Sequence, residues 1–219
     1  MVDTDKIIWE AARWNFDLYR QLYGEMTFSE RKIINDGILK TFPSQNRSDK
    51  KFFVDSFKII TDSTGSNIKV FEVGGYDGAL AKHIMDIYPT VEWDNYDIFN
   101  AKPVDGLEKY KYKIIEIDKP FWEYKDIFCG YNVFVSSDTI EHMNEDEFLK
   151  TVSATSCVEY EILQIDTRTW KTDWKGDGST HVLTTIHDDL DLIYGGKKVL
   201  HVEPIGREWK RLLWKENFK

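Results

Sequence analysis

Apolar residues recur at helical spacing in the N-terminal part of the chain. Steps of three and four residues, which share one helix face, separate Trp9, Ala12, Phe16, Tyr19 and Tyr23. A second helix is predicted over residues 29–42, with Ser29 as its N-cap, and a third over 50–61. We expect residues 1–65 to form an N-terminal helical extension of the same domain. It would either pack on the rest of the chain or cover a binding cleft.

Beyond residue 66, short apolar runs alternate with helical ones. The predicted strands are 68–73, 91–99, 111–118, 131–137 and 160–167, and the predicted helices are 78–88, 144–156 and 185–195. Such alternation predicts right-handed crossovers and parallel strands. Two further strand-like runs, 197–206 and 207–217, are joined almost directly, which suits an antiparallel hairpin. We therefore predict an α/β domain over residues 66–219. Its seven-stranded, mostly parallel sheet has a reversed last strand and helices on both faces.

Charge and cysteine usage narrow the class of protein. A formal net charge of −9 argues against a nucleic-acid binder and against an anionic membrane surface. The first residues lack the pattern of a signal peptide, and no apolar stretch approaches membrane-spanning length. Cys129 and Cys157 have no zinc-site spacing, so we expect two buried free thiols in a reducing cytosol. A cytoplasmic protein is predicted.

Polar residues gather where the predicted strands end. In strand order they are Glu72 with Gly74, Gly75 and Gly78, then Asp97, Asp118, the group Ser136, Ser137 and Asp138, and Asp166. In open α/β sheets, ligands bind outside the carboxyl ends of the strands. We therefore predict one ligand cleft at this edge of the sheet.

The glycine spacing and the acids restrict the ligand. The loop fits neither the G-x-G-x-x-G spacing of dinucleotide sites nor a Walker A loop. Carboxylates would repel a pyrophosphate, but they suit a ligand with a cationic head and a ribose diol. Asp97 lies nineteen residues beyond Gly78 (97 − 78), about where an acid holds ribose hydroxyls, with Asp94 as the alternative.

These segments resemble motifs of the class I S-adenosylmethionine-dependent methyltransferases. Residues 70–81, VFEVGGYDGALA, are similar to the family's acidic and glycine-rich first motif. Residues 95–99, NYDIF, resemble its ribose-binding strand end, and residues 131–143, YNVFVSSDTIEHM, its fourth-strand motif. The resemblance covers residues 66–217, including the reversed last strand. It implies a Rossmann-like enzyme with S-adenosylmethionine as cofactor.

The resemblance also implies residue roles. Gly74 and Gly78 would let the backbone approach the methionine portion of the cofactor, and Glu72 would order that loop. Asp97, with Ile98 beside it, would bind the ribose diol. Asp118 would either contact the adenine amino group or cap the segment that follows it, and Ser136, Ser137 and Asp138 would face the methionine portion. Tyr76 replaces the middle glycine of the motif, where Gly75 could absorb an unusual turn.

Methyl transfer requires alignment of the acceptor and removal of a proton where the acceptor carries one. His142, after the fourth strand, and His181, in the polar loop 166–184, are the candidate bases. No metal is predicted, although Asp166, Asp173 and Asp177 leave one conceivable.

The motifs of DNA methyltransferases are missing. We expect a small-molecule or sugar-like acceptor, methylated at oxygen. The alternatives are N-methylation of a small amine or protein side chain, and a silent cofactor-binding module.

Overall fold

The computed structural model describes residues 27–30, 32, 50–65, 67–98, 101–166, 187–194, 196–203 and 208–215. The helix predicted around residues 9–23 lies outside them, as do His181 and most of the polar loop that contains it. Among the described residues, no helix is long and apolar enough to cross a membrane.

The secondary structure follows the predicted alternation. The helices are α1 (Lys50–Thr64), α2 (Ala79–Ile87), α3 (Lys125–Phe128), α4 (Glu145–Ala154) and α5 (His187–Ile193). The strands are β1 (Lys69–Val73), β2 (Glu92–Asp97), β3 (Tyr112–Glu116), β4 (Val133–Ser137), β5 (Tyr160–Asp166), β6 (Lys198–Val202) and β7 (Glu208–Trp214). Short 3-10 turns span Phe121–Tyr124, Ile140–His142 and Thr155–Cys157.

The strands form a seven-stranded sheet in the order β3-β2-β1-β4-β5-β7-β6. Strands β1 to β5 pair in parallel, whereas β7 runs antiparallel to both of its neighbours, β5 and β6. This confirms the predicted fold class and the reversed last strand. The strand order reverses between β1 and β4, so their carboxyl ends mark the switch point at which ligands bind in such sheets.

Helices cover both faces of the sheet because the strands alternate apolar side chains between them. On one face, α1 and α2 bury residues such as Phe57 and Ile84 against Val70 and Trp93. On the other, α3, α4 and α5 pack around Phe71, whose ring lies 4.4 Å from that of Phe128. Both cores lie directly below the carboxyl edge, so the loops there rest on a rigid support.

Two helix starts can be compared with their predictions. Asn144 caps α4 in a capping box with Glu147, as the sequence predicts. The predicted cap at Ser29 is wrong, because Ser29 is itself helical. Thr27 takes that position instead: its hydroxyl accepts the N–H of Glu30, and the Glu30 carboxylate accepts the N–H of Thr27 at 2.7 Å.

The prediction of two free thiols is also wrong. Cys129 and Cys157 form a disulfide with a Cα–Cα distance of 5.2 Å. The bridge joins the end of α3 to the turn before β5, at the amino-terminal edge of the sheet, away from the glycine loop. Sequence spacing could not reveal it, because 28 residues separate the two cysteines and only the fold brings them together.

Candidate active site

The glycine loop after β1 adopts an unusual backbone conformation. Gly74, Tyr76 and Gly78 have φ angles of 72°, 48° and 77°, so every second residue is left-handed. This region costs little for glycine but is uncommon for a side chain as bulky as tyrosine. Tyr76 therefore takes the backbone conformation of the glycine it replaces, and its surroundings must stabilise it there.

Asn95, which sequence reasoning missed, supplies part of that stabilisation from β2. Its side-chain oxygen accepts the N–H of Gly75 at 3.0 Å, and its amide nitrogen donates to the carbonyl of Tyr76 at 3.1 Å. The same nitrogen lies 3.3 Å from the hydroxyl of Tyr112 on β3. Asn95 has no solvent exposure, so these bonds are shielded from competing water.

Asp97 completes the support of the loop. One of its carboxylate oxygens accepts the N–H of Tyr76 at 2.7 Å, and its side chain is 3% exposed. The alternative acid, Asp94, points to the other face of the sheet, where it accepts the hydroxyl of Tyr131 at 2.6 Å. Of the two carboxylates, the structure thus brings Asp97 to the glycine loop. Ile98, which follows it, packs partly buried against the core around Phe71.

Glu72 lies beneath the loop. It is 1% exposed, and one of its oxygens accepts the indole N–H of Trp93 at 2.8 Å. A Cβ atom at position 75 would collide with the Glu72 carboxyl group, so only glycine fits above it. The pKa of Glu72 is raised to about 8, chiefly by burial and further by the charges of Asp97 and Asp77, which together outweigh the lowering effect of the Trp93 hydrogen bond.

Asp118 lies on the surface beyond the end of β3. Its carboxylate accepts the hydroxyl of Tyr124 at 2.7 Å, and that hydrogen bond lowers the pKa of Asp118. Tyr124 belongs to the 3-10 turn that follows, so Asp118 fixes this segment by a side-chain contact. A contact with adenine stays a prediction.

The carboxyl end of β4 carries a second group of polar residues. Ser136 is buried, and its hydroxyl and that of Ser137 have no hydrogen-bond partner among the described residues. Asp138 has a φ of 52° and follows them in a left-handed turn. The side-chain nitrogen of Gln164, on β5, lies 3.1 Å from each Asp138 carboxylate oxygen. Sequence reasoning missed Gln164 too.

His142 lies in the same connection. Its backbone N–H donates to the carbonyl of Thr139, which closes the 3-10 turn Ile140–His142. The turn packs closely against the glycine loop. The Thr139 side chain fills the space that a Cβ atom would need at position 74. His142 is partly exposed, whereas its neighbour Glu141 is buried. Thus the structure brings the β4 turn against the β1 loop.

Within the described ranges, no three His, Cys, Asp or Glu side chains are close enough to hold a metal ion. Asp173 and Asp177 lie outside those ranges, and the side chain of Asp166 is not described.

Comparisons with solved structures identify the fold. TehB from Haemophilus influenzae is similar with a TM-score of 0.61 at 15% identity, over 81% of this chain and 66% of TehB, so the chain spans just under two thirds of that protein. The 1,6-didemethyltoxoflavin-N1-methyltransferase of Burkholderia thailandensis, a complex with 1,6-didemethyltoxoflavin and S-adenosylhomocysteine, gives 0.61 at 6% identity, over 88% and 91%. The mitomycin 7-O-methyltransferase MmcR gives 0.59 at 11% identity, over 95% and 68%.

The chain therefore has the Rossmann-like fold of class I S-adenosylmethionine-dependent methyltransferases. No protein-family model matches its sequence, and no curated protein does. At these identities the likeness concerns the fold, and the chemistry must be argued from the site.

Proposed function

We propose that this chain is an S-adenosylmethionine-dependent methyltransferase that acts on a small-molecule or sugar-like acceptor, preferentially at oxygen. The observation that carries the proposal is the glycine loop at the switch point, held in left-handed turns by Asn95 and Asp97. The fold and the S-adenosylhomocysteine in the N1-methyltransferase complex support this cofactor. N-methylation is the second candidate, since one of the similar structures is an N1-methyltransferase.

The proposed cofactor contacts follow the carboxyl edge. Gly74, Gly75, Tyr76 and Gly78 would present loop backbone to the methionine portion, with Ser136 and Ser137 beside them and Glu72 supporting the loop from below. Asp97 and Ile98 would border the ribose, and Asp118 the adenine. When bound, S-adenosylmethionine supplies an electrophilic methyl group on a sulfonium. A neutral hydroxyl or amine releases one proton on methylation, and we propose His142 as the base that accepts it. His181 is the alternative base.

The rest of the chain has proposed roles as well. Residues 50–64 pack on the sheet as α1, which supports a packing role for that part of the N-terminal extension. A lid over the cleft is a proposal for the residues before them. We also propose a cytoplasmic location, without nucleic-acid or membrane partners. The disulfide is the observation against the cytoplasm, because such bonds are rare there.

Calorimetry tests the cofactor directly. We expect micromolar binding of S-adenosylmethionine and S-adenosylhomocysteine and no binding of NAD; the reverse pattern would exclude the proposal. Asp97→Ala should weaken S-adenosylhomocysteine binding by about 1–3 kcal/mol, roughly 5- to 150-fold, because a charge-assisted loop bond and the ribose contact are lost. Asp94→Ala is the matched control and should bind normally. Equal losses in both variants would argue against the assignment of Asp97.

Turnover separates an enzyme from a silent binding module. Formation of S-adenosylhomocysteine should depend on a hydroxyl- or amine-bearing acceptor. His142→Ala should lower kcat about 100-fold, within the usual range for a general base, while the dissociation constant of the cofactor stays within about twofold. Full activity of this variant would transfer the role to His181 or to no residue.

A further inference from the structure

We propose that Asp138, positioned by Gln164, binds the methyl acceptor and selects a neutral hydroxyl or amine over nucleophiles that are already anions. This inference rests on the proposed function and deepens it. It places Asp138 at the acceptor, where the family resemblance alone implied the methionine portion of the cofactor.

Asp138 has an uncommon backbone conformation. A φ of 52° is uncommon for a residue with a side chain, and such strain persists where the surrounding structure enforces it. The backbone N–H of Asp138 donates to the carbonyl of Gln164 at 3.1 Å, so β5 fixes the turn. Left-handed non-glycine residues concentrate at binding and catalytic sites, and this one lies at the switch point.

The side chains of Gln164 and Asp138 are in direct contact. The Gln164 nitrogen lies 3.1 Å from each oxygen of Asp138, so a single amide holds the carboxylate in one orientation. Gln164 has no solvent exposure, and a buried amide loses little of this bond to water. Gln164 is therefore a positioning residue, and Asp138 is the group it presents.

Two buried polar atoms close to the Asp138 carboxylate lack hydrogen-bond partners within the described part of the chain. The Gln164 side-chain oxygen and the Ser137 hydroxyl are buried and find no hydrogen bond among the described residues. Ser137 and Gln164 are in register on β4 and β5, so both side chains project from the same face of the sheet. Buried polar atoms of this kind need a ligand or an ordered water. The Gln164 oxygen can only accept a hydrogen bond, which favours a ligand that donates one.

Asp138 and Gln164 lie on the other side of β1 from the residues that support the glycine loop. Those supports come from β2 and β3, whereas Asp138 directly follows β4 and Gln164 lies on β5. In-line transfer requires the acceptor to approach the methyl group from the side away from the leaving sulfur. With the ribose beside Asp97, the β4–β5 edge is the remaining side of the cleft for the acceptor.

Charge then decides the class of acceptor. Among the described residues, Lys210 on β7 is in register with Gln164, and its ammonium group lies 3.3 Å from the Glu203 carboxylate. The Asp138 carboxylate is itself a negative charge beside the proposed acceptor. A carboxylate or thiolate acceptor would meet repulsion there, whereas an O–H or N–H group would donate a hydrogen bond to Asp138.

The test uses the full chain, S-adenosylmethionine and three groups of probes: hydroxyl compounds (catechol, glucose), a neutral amine (aniline) and anions (benzoate, thiophenolate). We expect turnover of a hydroxyl or amine probe and none of the anions. Asp138→Asn should lower kcat/KM for that probe at least about 10-fold, with the dissociation constant of S-adenosylhomocysteine within about twofold. Asparagine tolerates the left-handed turn, so this variant should fold. Asp146→Asn, at an exposed position on α4, is the matched control and should behave as wild type.

A swapped pair separates acceptor binding from a structural role. Gln164→Glu alone should lower the melting temperature, because two carboxylates then face each other. The double variant Asp138→Asn with Gln164→Glu restores an amide–carboxylate hydrogen bond in the opposite direction. If Asp138 binds the acceptor, the double variant recovers its melting temperature but not kcat/KM. Recovery of both would overturn the proposal.

Other outcomes are equally decisive. If Asp138→Asn loses affinity for S-adenosylhomocysteine and its kcat/KM falls equally for every acceptor, Asp138 is a cofactor contact. Turnover of anions only, or cofactor binding without turnover of any hydroxyl or amine probe, would overturn the acceptor class. A wild-type protein that binds no S-adenosylmethionine would instead refute the proposed function itself.

Discussion

The two halves of the carboxyl edge differ in how completely their polar groups are bonded. On the β1–β2–β3 side, Asn95 and Asp97 bond the loop backbone, and Trp93 donates to Glu72. On the β4–β5 side, Ser136, Ser137 and Gln164 keep buried polar atoms without a partner among the described residues. A site whose polar groups are bonded in advance is organised before its ligand arrives. On the β4–β5 side, the bound ligand would supply the hydrogen bonds that the buried polar groups lack.

Glu72 should give the largest effect, seen as a pH dependence of stability. Its pKa is about 8 in the folded protein against a reference value of 4.5, so the folded state holds a proton that the unfolded state releases. The free energy of unfolding should therefore fall as pH rises from about 4.5 to about 8, and then level off. Each pKa unit is worth about 1.4 kcal/mol. Glu72→Gln, followed by urea denaturation across this range, should remove the slope.

The control for this measurement is Glu123→Gln, since Glu123 is exposed. It should keep the pH dependence of the wild type. An unchanged slope in Glu72→Gln would mean that another buried group causes it.

Asn95→Leu should have the next largest effect, because it leaves several groups of the bonded half without partners. The Gly75 N–H and the Tyr76 carbonyl would lose their bonds, and we expect a loss of about 2–4 kcal/mol in the free energy of unfolding. Binding of S-adenosylhomocysteine should weaken in parallel. Denaturation and calorimetry measure the two quantities.

Asn132→Leu is the matched control, because Asn132 accepts one backbone N–H, that of Lys69, at the opposite edge of the sheet. It should cost about 1 kcal/mol and leave cofactor affinity unchanged. Similar losses in the two variants would contradict the special role of Asn95.

Ser136→Ala should have the smallest effect. Because its buried hydroxyl has no partner among the described residues, removal should change the free energy of unfolding by less than about 0.5 kcal/mol. Thr151→Val is the contrast: that hydroxyl donates to the carbonyl of Glu147 at 2.9 Å, so its loss should cost about 1 kcal/mol. A loss above about 0.5 kcal/mol in Ser136→Ala would show that its hydroxyl is hydrogen-bonded. The two halves of the carboxyl edge would then be equally well bonded.

The fold could be predicted because it depends on repeating patterns. Strand–helix alternation and the short β6–β7 link are local features. The strand directions predicted from them agree with those in the structure. The helix start was misplaced by two residues, because Ser29 and Thr27 both have a hydroxyl that can cap and only the fold shows that Thr27 does so. The disulfide required knowledge of which distant segments meet.

The site was harder to predict, because amides on strands look like ordinary surface residues. Asn95 is two residues before Asp97 and therefore on the same face of β2, which was the available signal for it. Gln164 had a weaker signal, as a polar residue between the apolar Leu163 and Ile165 of β5. The left-handed conformation of Tyr76 follows from its place in the motif, but the bonds that maintain it come from residues 19 and 21 positions away.

The position of β7 between β5 and β6 has a consequence for biosynthesis. The edge of β5 that faces away from β4 pairs with β7, residues 208–214, which is the last strand of the sheet to emerge from the ribosome. Until then β5 presents an open edge, and β6, although already synthesised, has no neighbour to join. Unpaired strand edges are where nascent chains aggregate. A chain whose translation ends before residue 208 would therefore need a chaperone.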